Sequence, residues 1–559
     1  MSKNLSKIAK QKKIKYFLIS FVDLFGVLRS KLVPAQAISE MQKNGAGFAG
    51  FATWLDMTPA DTDMFAIPDP DSLIQLPWNK EVGWLASDLW MGGKQVKASP
   101  RVMLKDQIKK LDKMNLEMKS GVECEYFLIS QDGSSIADSR DTQSKPCYDQ
   151  SALMRRYELI KEICDSMIEL GWKPYQNDHE DANGQFEMNW DYDDCLITAD
   201  RHAFFKFMVK SLAEKHGLRA TFMPKPFHNL TGNGCHAHVS VWNGKDNKFL
   251  DKKDTLGLSK LAYNFLGGVM NNTQALSAFF NPTINSYRRI NAPPTKSGAS
   301  WSPSSISYSG NNRTHMIRIP DPGRFELRLM DGSANPYLLQ AGVIAAGLDG
   351  INNKSDPGEA LTCNMYTDFK NYPNLAKLPN DLEDSLSKLD DNKHLKEAFS
   401  EEVTLSAHQK AADYTAAKGR LNRFASAVGV VILLGWTIGG GLELLANVWQ
   451  GLEWSDTVTG VVFILSFFVI GSLLEIPLDW YKTFVMEDKF GFNKNTPALY
   501  LSDTVKQTLL MIIIGAPLIW GALWLMDSTG AYWWLYLWAA WIGFAIVMMW
   551  AYPAFIAPL

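Results

Sequence analysis

His236-Ala237-His238-Val239-Ser240 turns two imidazoles and a hydroxyl to one face of a strand and an alanine and a valine to the other, because successive side chains of a strand point to opposite faces. Three further stretches read the same way. Val122-Glu123-Cys124-Glu125-Tyr126 puts both carboxylates on one face. Gln185-Phe186-Glu187-Met188-Asn189-Trp190 sets an amide, a carboxylate and an amide in front of Phe, Met and Trp. Arg324-Phe325-Glu326-Leu327-Arg328 flanks one carboxylate with two guanidiniums. One such stretch reads as a strand with one wet face. Four in one chain do not, and a solvated face favours Lys and Thr over paired Arg around a single Glu. A sheet that turns these faces to a cleft gathers Glu, His and Arg over a dry apolar layer, which suits hard divalent cations and a polyphosphate.

The flanking runs carry a family resemblance. Lys225-Pro226-Phe227, Thr231-Gly232-Asn233-Gly234-Cys235-His236 and Ser240 resemble the ATP-binding signature of the glutamine synthetase family. Asn281-Pro282-Thr283, Asn285-Ser286-Tyr287-Arg288-Arg289, Asn312-Arg313, Ile317-Arg318-Ile319-Pro320 and Ala334-Asn335-Pro336-Tyr337-Leu338 continue the series in order over roughly residues 10–400. Gly47-Phe48-Ala49-Gly50-Phe51 and Asn291-Ala292-Pro293-Pro294 resemble the type III branch, which includes γ-glutamylmethylamide synthetases.

The resemblance implies an α+β fold: a small β-grasp domain over residues 1–98, with a strand over Lys15–Asp23, and a catalytic domain over 99–402 with a curved antiparallel sheet. It also implies a chemistry. ATP phosphorylates the γ-carboxylate of glutamate, and an amine, ammonium or a short alkylamine, displaces the phosphate. Glu125, Glu180 and Glu187 are the implied ligands of one metal ion, and Glu123, His236 and Glu326 those of a second that bridges the ATP phosphates. Carboxylate-rich, cysteine-free shells suit Mg²⁺ or Mn²⁺ better than zinc. Arg313 and Arg324 are the implied catalytic groups, neutralising phosphate charge in the transition state. Lys225, His238, Ser240, Arg313 and Arg318 are the implied ATP contacts, and Gly232, Arg289 and Arg328 the implied glutamate contacts, the two arginines as bidentate clamps. Active sites in this family form between subunits of stacked rings, so a homo-oligomer is expected.

Two departures bear on the amine. Most glutamine synthetases carry a flap glutamate after the segment matching Ser286–Arg289; here that place falls at Thr295, and no acid occurs between Tyr287 and Arg324 before Asp321. The Asp-Gly-Ser-Ser segment that a neighbouring subunit lends to the ammonium site falls at Ala49-Gly50-Phe51-Ala52, with Asp56 and Asp61 as substitute acids if gaps shift the register. Fewer charges and some apolar lining suit an alkylamine such as methylamine.

The 559 residues leave room for three or four domains. A net charge of −3 gives no sign of nucleic-acid binding. All 6 cysteines fall in the first part without CxxC spacing, which points to a reducing compartment. The first fifteen residues are basic and polar, and no secretory signal is expected there.

Past about Glu402 the chain changes character, and the mean hydropathy of −0.13 averages two unlike parts. Apolar runs near Phe424–Val448, Thr457–Ile476, Gln507–Met526 and Tyr532–Ile556 each reach the roughly 20 residues that cross a bilayer. Four transmembrane helices are expected, with Gly439–Gly441, Gly515-Ala516-Pro517 and Gly543-Phe544-Ala545 as close helix contacts. Lys410, Lys418, Arg420 and Arg423 precede the first run, and Lys482, Lys489, Lys494 and Lys506 lie between the second and third, whereas the other two loops carry only acids. The positive-inside rule then places the synthetase part in the cytoplasm.

Tyr414-Thr415-Ala416-Ala417-Lys418, Leu434-Gly435-Trp436-Thr437, Thr483–Asn493 and the closing Tyr552–Leu559 resemble the amino-terminal membrane region of CAAX prenyl proteases over about 405–559, which implies a membrane domain over 403–559. No His-Glu-x-x-His occurs, and catalytic zinc needs those ligands and a base, so no protease activity is expected. The two resemblances meet without a Gly/Ser/Pro-rich linker, as an abrupt fusion would leave them, with the synthetase's carboxy-terminal end missing. The functional expectations are an ATP-dependent glutamate–ammonia ligase, a γ-glutamylalkylamide synthetase, or an inactive membrane-bound fusion remnant.

Overall fold

Glu125 falls between two strands, Glu117–Cys124 and Tyr126–Ile129, and there the chain passes from one sheet into another. The computed structural model describes residues 3–55, 57–290, 292–399, 405–489 and 495–551, and of 405–418, 420, 531 and 544–551 the backbone only. Asp56, Asn291, Glu402, Lys494 and the closing run 552–559 lie outside the described residues.

The first sheet runs Asp193–Asp194, Glu117–Cys124, Cys235–Asn243, Phe325–Leu327, Ile317–Arg318, Tyr308–Ser309, with Asp246–Asn247 beside Cys235–Asn243. All its pairs are antiparallel except the last along that path. The second runs Pro174–His179, Gln185–Trp190, Tyr126–Ile129, Arg219–Thr221, all antiparallel. The α+β class and the antiparallel strands match the expectation. Register sets Glu123 opposite His236, and His238 between Gly121 and Glu326.

Both faces of Gln185–Trp190 are buried, the polar one included. A solvated face is therefore not what the alternation encodes; the polar residues look into the protein.

Helices back the sheets. Lys260–Phe280 and Pro336–Asn353 approach through glycine: a Cβ on Gly268 would lie 2.2 Å from the Ala346 carbonyl oxygen, and one on Gly347 2.1 Å from the Phe265 ring. Asn335 caps the second helix by accepting from the amides of Tyr337 and Leu338, and its amide donates to the carbonyls of Asp23 and Leu24.

The amino-terminal sheet is mixed, in the order Leu28–Pro34, Tyr16–Val22, Val82–Met91, Met64–Pro68, Ala46–Phe48, with Ile74–Gln75 and Lys94–Gln95 also on Val82–Met91. Tyr16–Val22 realises the strand expected over Lys15–Asp23 and pairs parallel with Val82–Met91. Its core gathers Phe17, Ile19, Phe21, Ile38, Met64 and Leu85. Arg101, buried at the start of helix Pro100–Asp112, donates to Asp200 at 3.0 and 2.9 Å, Asp88 at 2.8 Å and Asp69 at 2.9 Å. That buried pairing ties this sheet to helix Cys195–Lys215.

These elements belong to one unit, Met1–Gln409; the second is Lys410–Leu559. In the second unit, Asp456–Glu487 and Pro497–Ser528 are long and apolar enough to cross a membrane. The first apolar run is not one straight helix. Leu405–Trp436 ends before Gly440, which sits at φ 77°, and Gly441–Gln450 follows at 49° to it. Gly439–Gly441 thus breaks the helix, because glycine alone takes that backbone without strain. The fourth run forms Trp533–Ala551, its side chains described only to Gly543. The described residues hold two clear spans, or three if the bent pair counts as one.

Candidate active site

His236 stands at the centre. Its Nδ1 lies 3.5 Å from Glu123 Oε2 and 3.5 Å from Glu326 Oε1, and its Nε2 lies 3.9 Å from Glu125 Oε1. That Nε2 is buried and has no hydrogen-bond partner. Oxygen and nitrogen atoms of Glu123, His236 and Glu326 lie within 4.8 Å of one another, as do those of Glu125, Glu187 and His236 and those of Asp178, Glu180 and Glu187. The five expected carboxylates on the two sheets and His236 are therefore brought together, with Glu180 following strand Pro174–His179.

Charge in the cluster is unevenly matched. Glu326 accepts from Arg318 at 2.9 Å and from Arg328. Against the desolvation of its buried place, Arg328, His236 and His238 hold its carboxyl down at about 2. Glu180 and Glu187 go the other way: burial first, then neighbouring carboxylates, push both well above the usual range. Crowded acids, an orphaned imidazole nitrogen and an all-oxygen-and-imidazole donor set fit hard divalent cations held by these side chains.

His238 links the cluster to the adjoining cleft. Arg324 Nη1 lies 2.7 Å from its Nδ1 and its Nε2 lies 2.9 Å from Glu123 Oε1. Arginine can only donate, so Nδ1 accepts and the proton sits on Nε2, directed at Glu123. The cleft, about 400 Å³, is lined by Glu123, His238, Ser240, Arg324, Tyr192 and Trp242 among others. Tyr192 and Trp242 stack on each other at 6.3 Å and 23° as an aromatic wall of the cleft, which Arg324 and His238 also line.

A smaller cavity of about 80 Å³ lies over the carboxylates, with Arg313, Arg318 and Arg328 on its wall. Glu123 lines both spaces. Gly232 and Gly234 are glycines because side chains there would collide: a Cβ would lie 2.3 Å from the Pro224 carbonyl oxygen in one case and 2.6 Å from His236 Nε2 in the other. Gln185 Nε2 ties the Gly232 carbonyl at 3.1 Å to Glu125 Oε2 at 2.9 Å.

Lys225 and Arg289 line neither space. Lys225 is buried and donates to the Leu230 carbonyl. Arg289 is buried behind Gly234 and donates to the carbonyls of Leu329 at 3.0 Å and Arg328 at 3.4 Å.

The structure adds residues beyond those read from sequence. Asp178 lines the small cavity with its Oδ1 buried and unpartnered; burial, opposed by a hydrogen bond from Gln176 and reinforced by Glu123 and Glu125, pushes its carboxyl up to about 6. Asp178 and Glu180 sit two apart, the same strand-period signal, but Asn177 and His179 between and before them are polar too, so no alternation shows. Tyr148, Cys147 and Trp301 line the same cavity. Thr295 bonds Ser297 at 3.1 Å and the Ala299 carbonyl at 3.1 Å in its own loop, and its hydroxyl pairs with that of Thr231 at 3.3 Å. Asp181 accepts from Thr231 and Ser297, each at 2.6 Å.

A family model described as the glutamine synthetase catalytic domain matches residues 97–421. One described as the CAAX prenyl protease N-terminal region, five membrane helices, matches 385–559. A glutamine synthetase of Rhizobium leguminosarum bv. phaseoli is 60% identical over 412 residues, 73% of this chain and 94% of that protein. A glutamate–methylamine ligase of Methyloversatilis universalis is 41% identical over 399 residues, 70% of this chain and 90% of that protein. The solved complex of GmaS with ADP superposes with a TM-score of 0.72 at 57% identity, covering 74% of this chain and 96% of that one.

Proposed function

The chain belongs to the glutamine synthetase family and is a glutamate–amine ligase, and from that premise we propose that it joins a short alkylamine, methylamine foremost, to the γ-carboxylate of glutamate through γ-glutamyl phosphate. A γ-carboxylate oxygen attacks the terminal phosphorus of ATP and ADP leaves. The neutral amine then attacks the acyl carbon, inorganic phosphate leaves, and the amine's surplus proton passes to a carboxylate. ATP binds along the larger cleft, its ring against the Tyr192–Trp242 wall and its phosphates toward His238, Ser240 and Arg324. Arg313, Arg318 and Arg324 offset charge on the transferring phosphoryl group. Arg328 and the Gly232 loop receive glutamate, with Lys225 donating to the Leu230 carbonyl and the Arg289 side chain packed against Gly232.

Two divalent cations, Mg²⁺ or Mn²⁺, fit the carboxylates: Glu123, His236 and Glu326 would hold one, and Glu125, Glu180 and Glu187 the other, with Glu187 the member shared by the groups Glu125–Glu187–His236 and Asp178–Glu180–Glu187. Bound there, they supply charge neutralisation between the phosphates and the acids.

The observation that carries the alkylamine reading is the wall of the small cavity. Tyr148, Trp301 and Cys147 give it apolar surface, and Thr295, at the place of the flap acid, adds no charge and meets the wall only through its hydroxyl contact with Thr231. A methyl group is welcome there. Glutamine synthesis is the second reading, favoured by Asp178 on the same wall as an acid for a small cation. The test is kcat/KM for methylamine against ammonium at fixed ATP and glutamate. One methylene changes discrimination by roughly 1–3 kcal/mol, so methylamine should lead by about tenfold or more; a lead for ammonium returns the reading to glutamine synthesis.

The same reading takes residues 1–98 as a β-grasp domain, 99–402 as the catalytic domain and 403–559 as a membrane domain of four spans, with the ligase on the cytoplasmic side and subunits assembled into rings.

A further inference from the structure

The strand alternation that turns Glu123, Glu125 and His236 toward the active site turns Cys124 and Cys235 away from it. These two cysteines are register partners. The Glu125 amide bonds the Gly234 carbonyl at 3.1 Å while the Cys235 amide bonds Met330 on the other side at 3.0 Å. That pattern makes Cys124 and Cys235 a pair without mutual backbone hydrogen bonds, the closer of the two antiparallel spacings, with Cα atoms about 4.5 Å apart.

His202, on helix Cys195–Lys215, reaches the pair from below: its Nε2 lies 3.8 Å from Cys235 Sγ. One ligand atom from each of the three residues lies within 4.8 Å of the other two. All three side chains are 0% exposed. His202 Nδ1 is buried with no hydrogen-bond partner, so nothing else in the described residues fixes this ring by hydrogen bonding.

The donor set differs in kind from the one across the sheet. Two thiols and an imidazole are soft and borderline donors, which select zinc or cadmium over magnesium. Zinc held by these three donors in a trigonal arrangement, with Zn–S of about 2.3 Å and Zn–N of about 2.0–2.1 Å, sets sulfur and nitrogen about 3.7–3.8 Å apart, close to the separation present. Two thiolates also balance a divalent charge with no further anion, which matters in a site closed to water.

We propose that Cys124, His202 and Cys235 form a buried site for a thiophilic divalent cation, zinc or cadmium, on the face of the sheet opposite the oxygen-lined cluster. Binding releases the two thiol protons and forms two metal–sulfur bonds and one metal–nitrogen bond. With no opening to solvent, the site fills as the chain folds and gives its ion up slowly. The inference stands apart from the choice of amine.

The full chain, expressed in zinc-supplemented medium, solubilised in detergent and dialysed against excess Mg²⁺, is the sample to measure. A zinc chelator included in that dialysis strips zinc from the open, oxygen-lined cluster, where Mg²⁺ alone is the weaker competitor for imidazole and carboxylate, and zinc-edge X-ray absorption then counts sulfur around what remains. About one zinc per chain with two sulfur neighbours near 2.3 Å is expected. No retained zinc, or a shell of oxygen and nitrogen alone, overturns the proposal. The double variant Cys124→Ser/Cys235→Ser should lose both the zinc and its sulfur shell, while Cys147→Ser/Cys363→Ser keeps them. The reverse outcome overturns the proposal and assigns the metal to the less buried cysteines. Should the first double variant fail to fold, the wild-type sulfur count decides alone.

Discussion

Glu326 accepts from two arginines and still faces His236 at 3.5 Å. Its removal takes away a proposed cation ligand and leaves the half-buried Arg318 and the buried Arg328 with no acid between them. Glu326→Ala should cut glutamate- and Mg²⁺-dependent phosphate release by at least about 100-fold, the scale for losing one group that stabilises transition-state charge. Glu326→Gln, which keeps the shape and an acceptor, should fall comparably if charge is what matters. A rate near wild type in either would remove Glu326 from the cation site. At this scale the sequence was readable wherever a polar residue alternated with an apolar one, as at Glu123, Glu187, His236 and Glu326. It was unreadable at Asp178 and Tyr148. Asp178 lies in a run of consecutive polar residues, and Tyr148 reaches the cavity from a loop at φ 64°, where no period exists.

Elements obey the same division. The strand Tyr16–Val22 and the site strands follow from period two and from β-branched and aromatic content. The join at Glu125 follows from neither; there the side-chain carboxylate accepts the Gly234 amide at 2.7 Å and the Gln185 side-chain amide at 2.9 Å, contacts that no periodicity announces. Helix packing was hidden as well. Gly268 and Gly347 read as weak spots in a helix, yet Gly268 lets Lys260–Phe280 and Pro336–Asn353 meet backbone to backbone and Gly347 makes room for the Phe265 ring. Gly268→Val should therefore cost about 3 kcal/mol, the upper end for overpacking a filled interior, seen as a lower thermal midpoint of the ligase unit. An unchanged midpoint would mean that the helices do not touch there. In the membrane part, one expected span became a helix pair bent at Gly440, because apolar length measures hydropathy and says nothing of a residue at positive φ.

At the scale of the whole molecule, a ligase and a membrane segment share one chain, and the two family models overlap over 385–421. Asp456–Glu487 and Pro497–Ser528 leave large apolar side chains such as Leu473 (57%) and Ile513 (68%) exposed, as lipid contact requires. With basic residues flanking one side, a single cysteine introduced in Glu453–Asp456, in a chain whose native cysteines are replaced, should react with an impermeant maleimide in intact cells. Labelling only after permeabilisation would reverse the topology. The central claim, ligation through an acyl phosphate, has a more direct test. Glutamate labelled with ¹⁸O in its γ-carboxylate is supplied to the full chain with ATP, Mg²⁺ and methylamine or ammonium. The account predicts that one labelled oxygen appears in inorganic phosphate for each amide formed, whichever amine is used; amide formed with unlabelled phosphate would contradict it.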